Sequence, residues 1–275
     1  MGNKKEFNQI VKDIKDVKIQ GARNIAKKAL QAYMLIPSKS SKRKLLDARP
    51  TEPMMENVLD MAEKTHDYKK ILNHFDEAQE IINKKVLKLI KNNDVVFTHC
   101  HSTNVINALI YAKKKHRSVY TLKGTSPKLR SKGAKRFEVY NTETRPLFQG
   151  RKTARDLRKA GIKVTMFVDS AVGVALSGEQ GNKKPDIVFL GADAITKKGV
   201  INKIGSETIA KLAKQEKIPV YIVADSWKFT KKKISVEQRE LNEVWDKAPK
   251  GIKLKNPAFE FVDKKYITRV ITEES

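Results

Sequence analysis

Residues 95–104 read Val-Val-Phe-Thr-His-Cys-His-Ser-Thr-Asn, and the architecture follows from them. Val95, Val96 and Phe97 form a short apolar run of residues that favour strands. Thr98 to Ser102 is a polar break, after which Val105, Ile106, Leu109 and Ile110 recur at helical spacing. The pattern predicts strand, tight turn, helix, with Cys100 at the carboxyl end of the strand and the mouth of the helix. Ligands of open α/β sheets bind at such strand ends, and the N–H groups of a helix N-terminus favour anions, a thiolate included. A cysteine that merely fills space is the plain alternative.

Outward from this stretch, strand patterns at 95–98, 137–141, 163–168, 187–190 and 220–224 alternate with helical patterns at 103–115, 152–160, 172–176 and 206–217. That alternation predicts an α/β fold with a Rossmann-like, doubly wound parallel sheet. Gly161 stands where a helix-ending glycine is expected. Upstream the signal is helical only. Ile14, Val17, Ile19, Ala22, Ile25, Ala26, Ala29 and Leu30 fit a helix pair, or one helix bent near Gly21. Further helices run through Met61 and from Ile71 to Ile90. The expected organisation is a helical N-terminal domain over 1–90 and a Rossmann-like α/β catalytic domain over 91–275.

Composition narrows the classes. A hydrophobic content of 40% over 275 residues is that of a globular chain with a full core. One cysteine excludes an internal disulfide and fits a reducing compartment. No apolar run approaches membrane-spanning length, so no membrane partner and a cytoplasmic location are expected. The formal charge of +26 suits nucleic acid, a polyanionic small substrate or simply solvated lysine faces. A basic excursion over 119–136 carries lysines and arginines with no acid among them and reads as an exposed loop.

The strand ends supply the chemistry. Asn141-Thr142-Glu143-Thr144-Arg145 follows one strand, Asp169-Ser170-Ala171 another, Gly191-Ala192-Asp193 a third and Asp225-Ser226-Trp227-Lys228 a fourth. Together they offer a thiol, carboxylates, amides and cations around one crevice. His99, Cys100 and His101 are sequence neighbours whose side chains diverge in extended chain, so no metal is expected. Walker and dinucleotide fingerprints are absent, and no cofactor is expected. The economical reading is the cysteine as base and an aspartate as acid, with cations gripping phosphates.

The motifs THCHS (Thr98–Ser102), NTETRPLFQGRKTA (Asn141–Ala154), DSA (Asp169–Ala171), GADAI (Gly191–Ile195), INKIG (Ile201–Gly205) and NPAF (Asn256–Phe259) occur in this order. In that order, and with KIQGA (Lys18–Ala22) and ARPT (Ala48–Thr51) ahead of them, the chain resembles one family. It unites archaeal ribose 1,5-bisphosphate isomerase, methylthioribose-1-phosphate isomerase and the alpha, beta and delta subunits of eukaryotic initiation factor 2B. The resemblance implies an aldose–ketose sugar-phosphate isomerase with Cys100 as base and Asp193 as acid. It places substrate binding on Gln20, Gly21, Ala22, Arg23, Arg49, Ser102, Thr103, Asn104, Asn202, Lys203 and Lys228. His101-Ser102 after the cysteine, in place of Asn-Thr-Gly, points to the branch that converts ribose 1,5-bisphosphate to ribulose 1,5-bisphosphate. Homo-oligomers and AMP as an activator are further implied. Under the alternative of a non-catalytic translation protein, nucleic acid or an initiation factor would be the partner; methylthioribose 1-phosphate is the alternative substrate. The chain departs from the isomerase pattern at Gln20, where the family has Arg, and in its shorter ends. For its ionisation, a Cys100 held near cations and a helix N-terminus is expected to be a thiolate near neutrality.

Overall fold

The computed structural model describes residues 2–114, 135–232, 234 and 238–275. The basic excursion over 119–136 lies outside the described residues except for Lys135 and Arg136.

Five helices come first: α1 (Gly2–Lys15), α2 (Ala22–Leu35), α3 (Lys39–Ala48), α4 (Pro53–Thr65) and α5 (Tyr68–Leu89). Gly21 decides the first junction. It takes φ 83°, a left-handed conformation open to glycine, and caps α2, so α1 and α2 are separate helices rather than one bent helix. Ser38 and Asp67 accept the backbone N–H groups of Ser41 and Lys70, capping α3 and α5, and Pro53 opens α4. Ile25, Leu30, Leu45, Met55, Leu59 and Phe75 form a helical core. α5 serves two cores. Ile71 and Phe75 belong to the helical one, whereas Ile82, Val86 and Leu87 pack on one face of the sheet.

The main sheet has six strands in the order β3-β2-β1-β4-β7-β9, every neighbouring pair parallel. These are β1 (Val95–Thr98), β2 (Glu138–Thr142), β3 (Lys163–Phe167), β4 (Ile187–Leu190), β7 (Val220–Val223) and β9 (Arg269–Ile271). β1 is buried along its whole length: Val96 faces the core that α5 and α6 (Thr103–Lys114) cover, and Val95 and Phe97 face the opposite core. Burial on both faces is why its apolar run does not alternate. α7 (Gln149–Lys159) ends as expected, with Gly161 at φ 78°. α8 (Val172–Ser177) and α9 (Ser206–Gln215) complete the described α-helices.

Two features correct the expectation. β9, only three residues long, adds a sixth strand beside β7. The GADAI and INKIG motifs, for which no strands were expected, form β5 (Ala194–Ile195) and β6 (Gly199–Lys203); β6 lies between β5 and β8 (Phe259–Asp263) of the NPAF segment and pairs antiparallel with both. This small sheet places Asn202 and Lys203 beside the strand ends of the large one. Among the described residues no helix is long and apolar enough to cross a membrane.

Candidate active site

The chain leaves β1 toward β2 on one side of the sheet and returns through β4 on the other, so the topology switches between β1 and β4. A crevice opens at such a point beyond the carboxyl ends. Cys100 follows β1 and Gly191-Ala192-Asp193 follows β4, and both segments line a cavity of about 800 Å³. The opposite wall comes from the helical part. Gln20, Gly21, Ala22, Arg23 and Arg49 face Ser102, Thr103, Asn104, Asn202, Lys203 and Lys228 across it, so the residues singled out from sequence share one cavity. Basic side chains dominate its lining: Lys18, Arg23, Arg49, Lys152, Lys159, Lys203, Lys228 and Arg239 against Glu52, Asp156 and Asp193. Such a lining draws in a polyanion.

Cys100 is held in a left-handed conformation, φ 64°, which non-glycine residues rarely adopt. Two threonines fix it there. Its N–H donates to Thr144 Oγ1 at 3.0 Å, and Thr153 Oγ1 donates to its carbonyl at 2.7 Å. Thr144 is itself fixed because Asp169 accepts the N–H groups of Thr144 and Arg145 at 2.8 and 2.6 Å. The NTETR and DSA motifs therefore act as scaffolding for the cysteine turn. Gly191 allows β4 to approach it: a Cβ at that position would stand 2.7 Å from Ser102 Cβ and Oγ.

The two histidines beside the cysteine enter separate hydrogen-bond sets. His99 is 3% exposed; its Nε2–H donates to the Ile204 carbonyl at 2.9 Å and its Nδ1 meets the Thr142 hydroxyl. His101 Nδ1 meets Thr153 Oγ1 at 3.0 Å and its Nε2 faces Lys152 Nζ at 3.1 Å. Burial pushes both imidazoles down to about 4, with Lys203 acting against protonation of His99 and Lys152 against that of His101. Both rings are neutral at pH 7.

Cys100 overturns the expected ionisation. Part of its surface meets the cavity, yet the sulfur lies deep, and burial pushes the thiol up to about 11. Lys203 and the His101 N–H pull the other way and do not prevail; the Asp193 and Asp169 charges add to the rise. The local signals for a thiolate are present, but desolvation outweighs them. At pH 7.5 Cys100 therefore holds about a hundredfold less thiolate than an unperturbed cysteine. As this is the single cysteine, iodoacetamide alkylation followed by mass spectrometry reads it directly. The rate is expected to climb through pH 9–11 and to fall further in Lys203→Met. A rate already level at pH 7 would contradict this.

Elements whose N–H groups and cations suit an anion flank Cys100 and Asp193. The N-termini of α2 and α6 open on the cavity at Gly21–Arg23 and Ser102–Asn104. Lys203 is 8% exposed with its ammonium 4.7 Å over the Phe259 ring, and Lys228 donates to the Ala192 carbonyl at 2.6 Å. The Asn202 side chain donates to Ser206 Oγ at 2.8 Å. Arg49 stands 3.8 Å from Glu52. Arg23, named for substrate binding, is engaged by Asp76 at 2.5 Å. Lys152, Arg239 and Phe259 also line the cavity and were not singled out from sequence. The quoted QGRKTA and NPAF motifs contain Lys152 and Phe259, and that was their one signal.

Known proteins resemble this chain along nearly its whole length. Residues 35–274 match the model of the initiation factor 2 subunit family. A ribose 1,5-bisphosphate isomerase of Archaeoglobus fulgidus is 32% identical over 98% of this chain and 88% of its own length. One from Methanocaldococcus jannaschii is 34% identical over 94% of this chain and 87% of its own. Among solved structures, a Pyrococcus horikoshii protein described as translation initiation factor eIF-2B superposes with a TM-score of 0.79 at 23% identity, covering 98% of this chain and 95% of that one. The chain therefore belongs to the initiation factor 2 subunit family, in the company of relatives named as sugar-phosphate isomerases.

Proposed function

We propose that this protein is an aldose–ketose isomerase that converts ribose 1,5-bisphosphate to ribulose 1,5-bisphosphate, with Cys100 as base and Asp193 as acid. One observation carries the reading: a thiol and a carboxylate sit at the adjacent ends of β1 and β4 in a cavity lined by cations and two helix N-termini. The relatives' names supply the substrate class. Two phosphates need two anion sites. We assign one to the α6 N-terminus with Lys203 and Lys228, and the other to the α2 N-terminus with Arg49.

The reaction opens the sugar ring, takes a proton from C2 and returns one to C1. In the resting site the thiol keeps its proton. Passing that proton from Cys100 to Asp193, directly or through water, yields thiolate base and carboxylic acid together. Net charge is unchanged, so the step adds no charge to the cavity, and Lys203 favours the thiolate that results. Asp193 then protonates the ring oxygen as the ring opens, and Cys100 takes the C2 proton; Cys100 returns that proton to C1 while Asp193 takes the proton of the C2 hydroxyl, which becomes the ketone. Homo-oligomeric assembly and stimulation by AMP belong to the same proposal.

The test is turnover by purified protein on ribose 1,5-bisphosphate, with and without AMP, beside methylthioribose 1-phosphate, which lacks the second phosphate. Preference for the bisphosphate supports the reading. Preference for the monophosphate moves the substrate. No turnover on either, with an initiation factor or RNA co-purifying, would support the translation reading.

A further inference from the structure

We propose that Asn57 and His74, two residues of the helical part outside the cavity lining, are positioning residues for Lys228; this rests on the reading of Lys228 as a phosphate-binding group. Lys228 ends a short 3-10 turn, Ser226–Lys228, after β7. Lys228 is 7% exposed as a residue, and its ammonium reaches the Ala192 carbonyl, next to Asp193. A lysine stem has four rotatable bonds, so a fixed ammonium needs a fixed backbone beneath it.

That backbone is gripped from the helical side at three points. Asn57 of α4 donates its amide to the carbonyls of Trp227 at 2.7 Å and Phe229 at 3.2 Å, the residues on either side of Lys228. His74 of α5 lays its ring flat on Trp227, centroids 3.5 Å apart and planes 6° from parallel. Its Nε2 stands 3.2 Å from Asp225 Oδ1, which also accepts the Trp227 N–H, and 3.6 Å from Glu273 Oε1. Glu273 in turn accepts the Ser226 N–H. Each residue from 225 to 229 is thus tied to the helical part directly or through one neighbour. Because Gly21 and Arg49 come from that same part, the grip sets the distance between the two sides of the cavity. None of these contacts touches the cavity, so the arrangement acts on Lys228 and not on a ligand.

The test is competitive acetylation of lysines, read by mass spectrometry, with Lys203 as an equally buried internal reference. In Asn57→Ala and in His74→Ala, labelling of Lys228 relative to Lys203 is expected to rise about tenfold, the scale of losing a hydrogen bond to a charged or buried group. His74→Phe keeps the ring on Trp227 and loses the polar contacts to Asp225 and Glu273, and should rise less. An unchanged Lys228 rate in folded variants would overturn the proposal, as would a parallel rise at Lys203, which would mean general loosening. Turnover adds a second reading: His74→Ala should lower kcat/KM in the native background and change nothing further in Lys228→Ala. Additive losses would contradict a role through Lys228. If the native protein turns over neither sugar phosphate, the proposed function fails while the labelling result still decides this inference.

Discussion

Cys100→Ser is expected to lower turnover by on the order of 10²–10⁴-fold, and Asp193→Asn by a similar factor, with the fold intact in both. Serine keeps the size and the hydrogen bonds of the turn, because Thr144 and Thr153 hold the backbone of residue 100 and not its side chain. What it removes is the thiol proton that can pass to Asp193, since a hydroxyl is far less acidic than a thiol in the same place. A hydroxyl cannot become a base there even with Lys203 and the His101 N–H to favour the anion. Asparagine at 193 keeps the shape of the aspartate and loses the proton it must take and give. Since one proton serves both residues, the losses should not multiply: the double variant should be hardly slower than the worse single one. Steady-state turnover of the three variants, with circular dichroism as the fold control, checks this. Full turnover by Cys100→Ser would remove the thiol from the mechanism, and multiplicative losses would mean that the two groups act in separate steps.

The raised thiol gives this prediction a pH signature. If ionisation of Cys100 came from a preformed thiolate, kcat/KM would be level across neutrality. With the proton resting on sulfur, activity depends on its transfer to Asp193, and the alkylation profile and the activity profile should diverge. Alkylation by an external reagent follows the thiolate of the free protein. Turnover follows the proton-shifted pair and should already be present at pH 7.

What sequence could and could not convey follows from where each property resides. Residues 95–104 were legible because β1 is buried on both faces and the turn and α6 follow without interruption, so periodicity alone marks strand and helix. β6 was not. Gly199, Asn202 and Lys203 break its apolar pattern, and its partner β8 lies some sixty residues on, so its pairing is a tertiary fact. α3 was missed for a related reason. Only Ser41 and Leu45 of its ten residues are buried, which leaves no stripe to read. The residues around the cavity were legible as motifs, and strand-end topology brought them together. Their ionisation was not. A helix N-terminus and nearby lysines can be seen in a sequence, whereas the depth of a sulfur atom cannot, and depth decides the Cys100 proton. The grip on Lys228 was invisible for the same reason, since Asn57 and His74 carry no pattern that points across to residue 228.

The buried imidazole of His99 should make the protein acid-labile well above the range where carboxylates protonate. In the unfolded chain His99 takes a proton near pH 6.5, whereas in the folded protein burial holds that step down to about 4. Between those values the unfolded state binds the proton and the native state does not. The contribution is therefore complete above pH 6.5 and is lost as pH falls toward 4, by about 3 kcal/mol in all. His101 shifts in the same direction, and water at its partly exposed side screens some of the effect. Protonating His99 is costly for a geometric reason as well. Its Nδ1 meets the Thr142 hydroxyl, and a proton there would require that hydroxyl to turn and accept; Thr142 lies on β2, with Gly150 packed against its carbonyl. Urea unfolding at pH 7 and pH 4.5 measures the loss, and His99→Gln isolates it. The variant should start less stable at pH 7, having lost ring contacts, yet fall by about 2–3 kcal/mol less on acidification. An equal fall in both proteins would place the acid sensitivity elsewhere. Because His99 precedes Cys100 and its ring reaches the Ile204 carbonyl beside Lys203, the same titration should open the cysteine turn before the sheet unfolds. Alkylation of Cys100 at pH 4.5 should then exceed what its thiolate fraction allows in the native protein but not in His99→Gln.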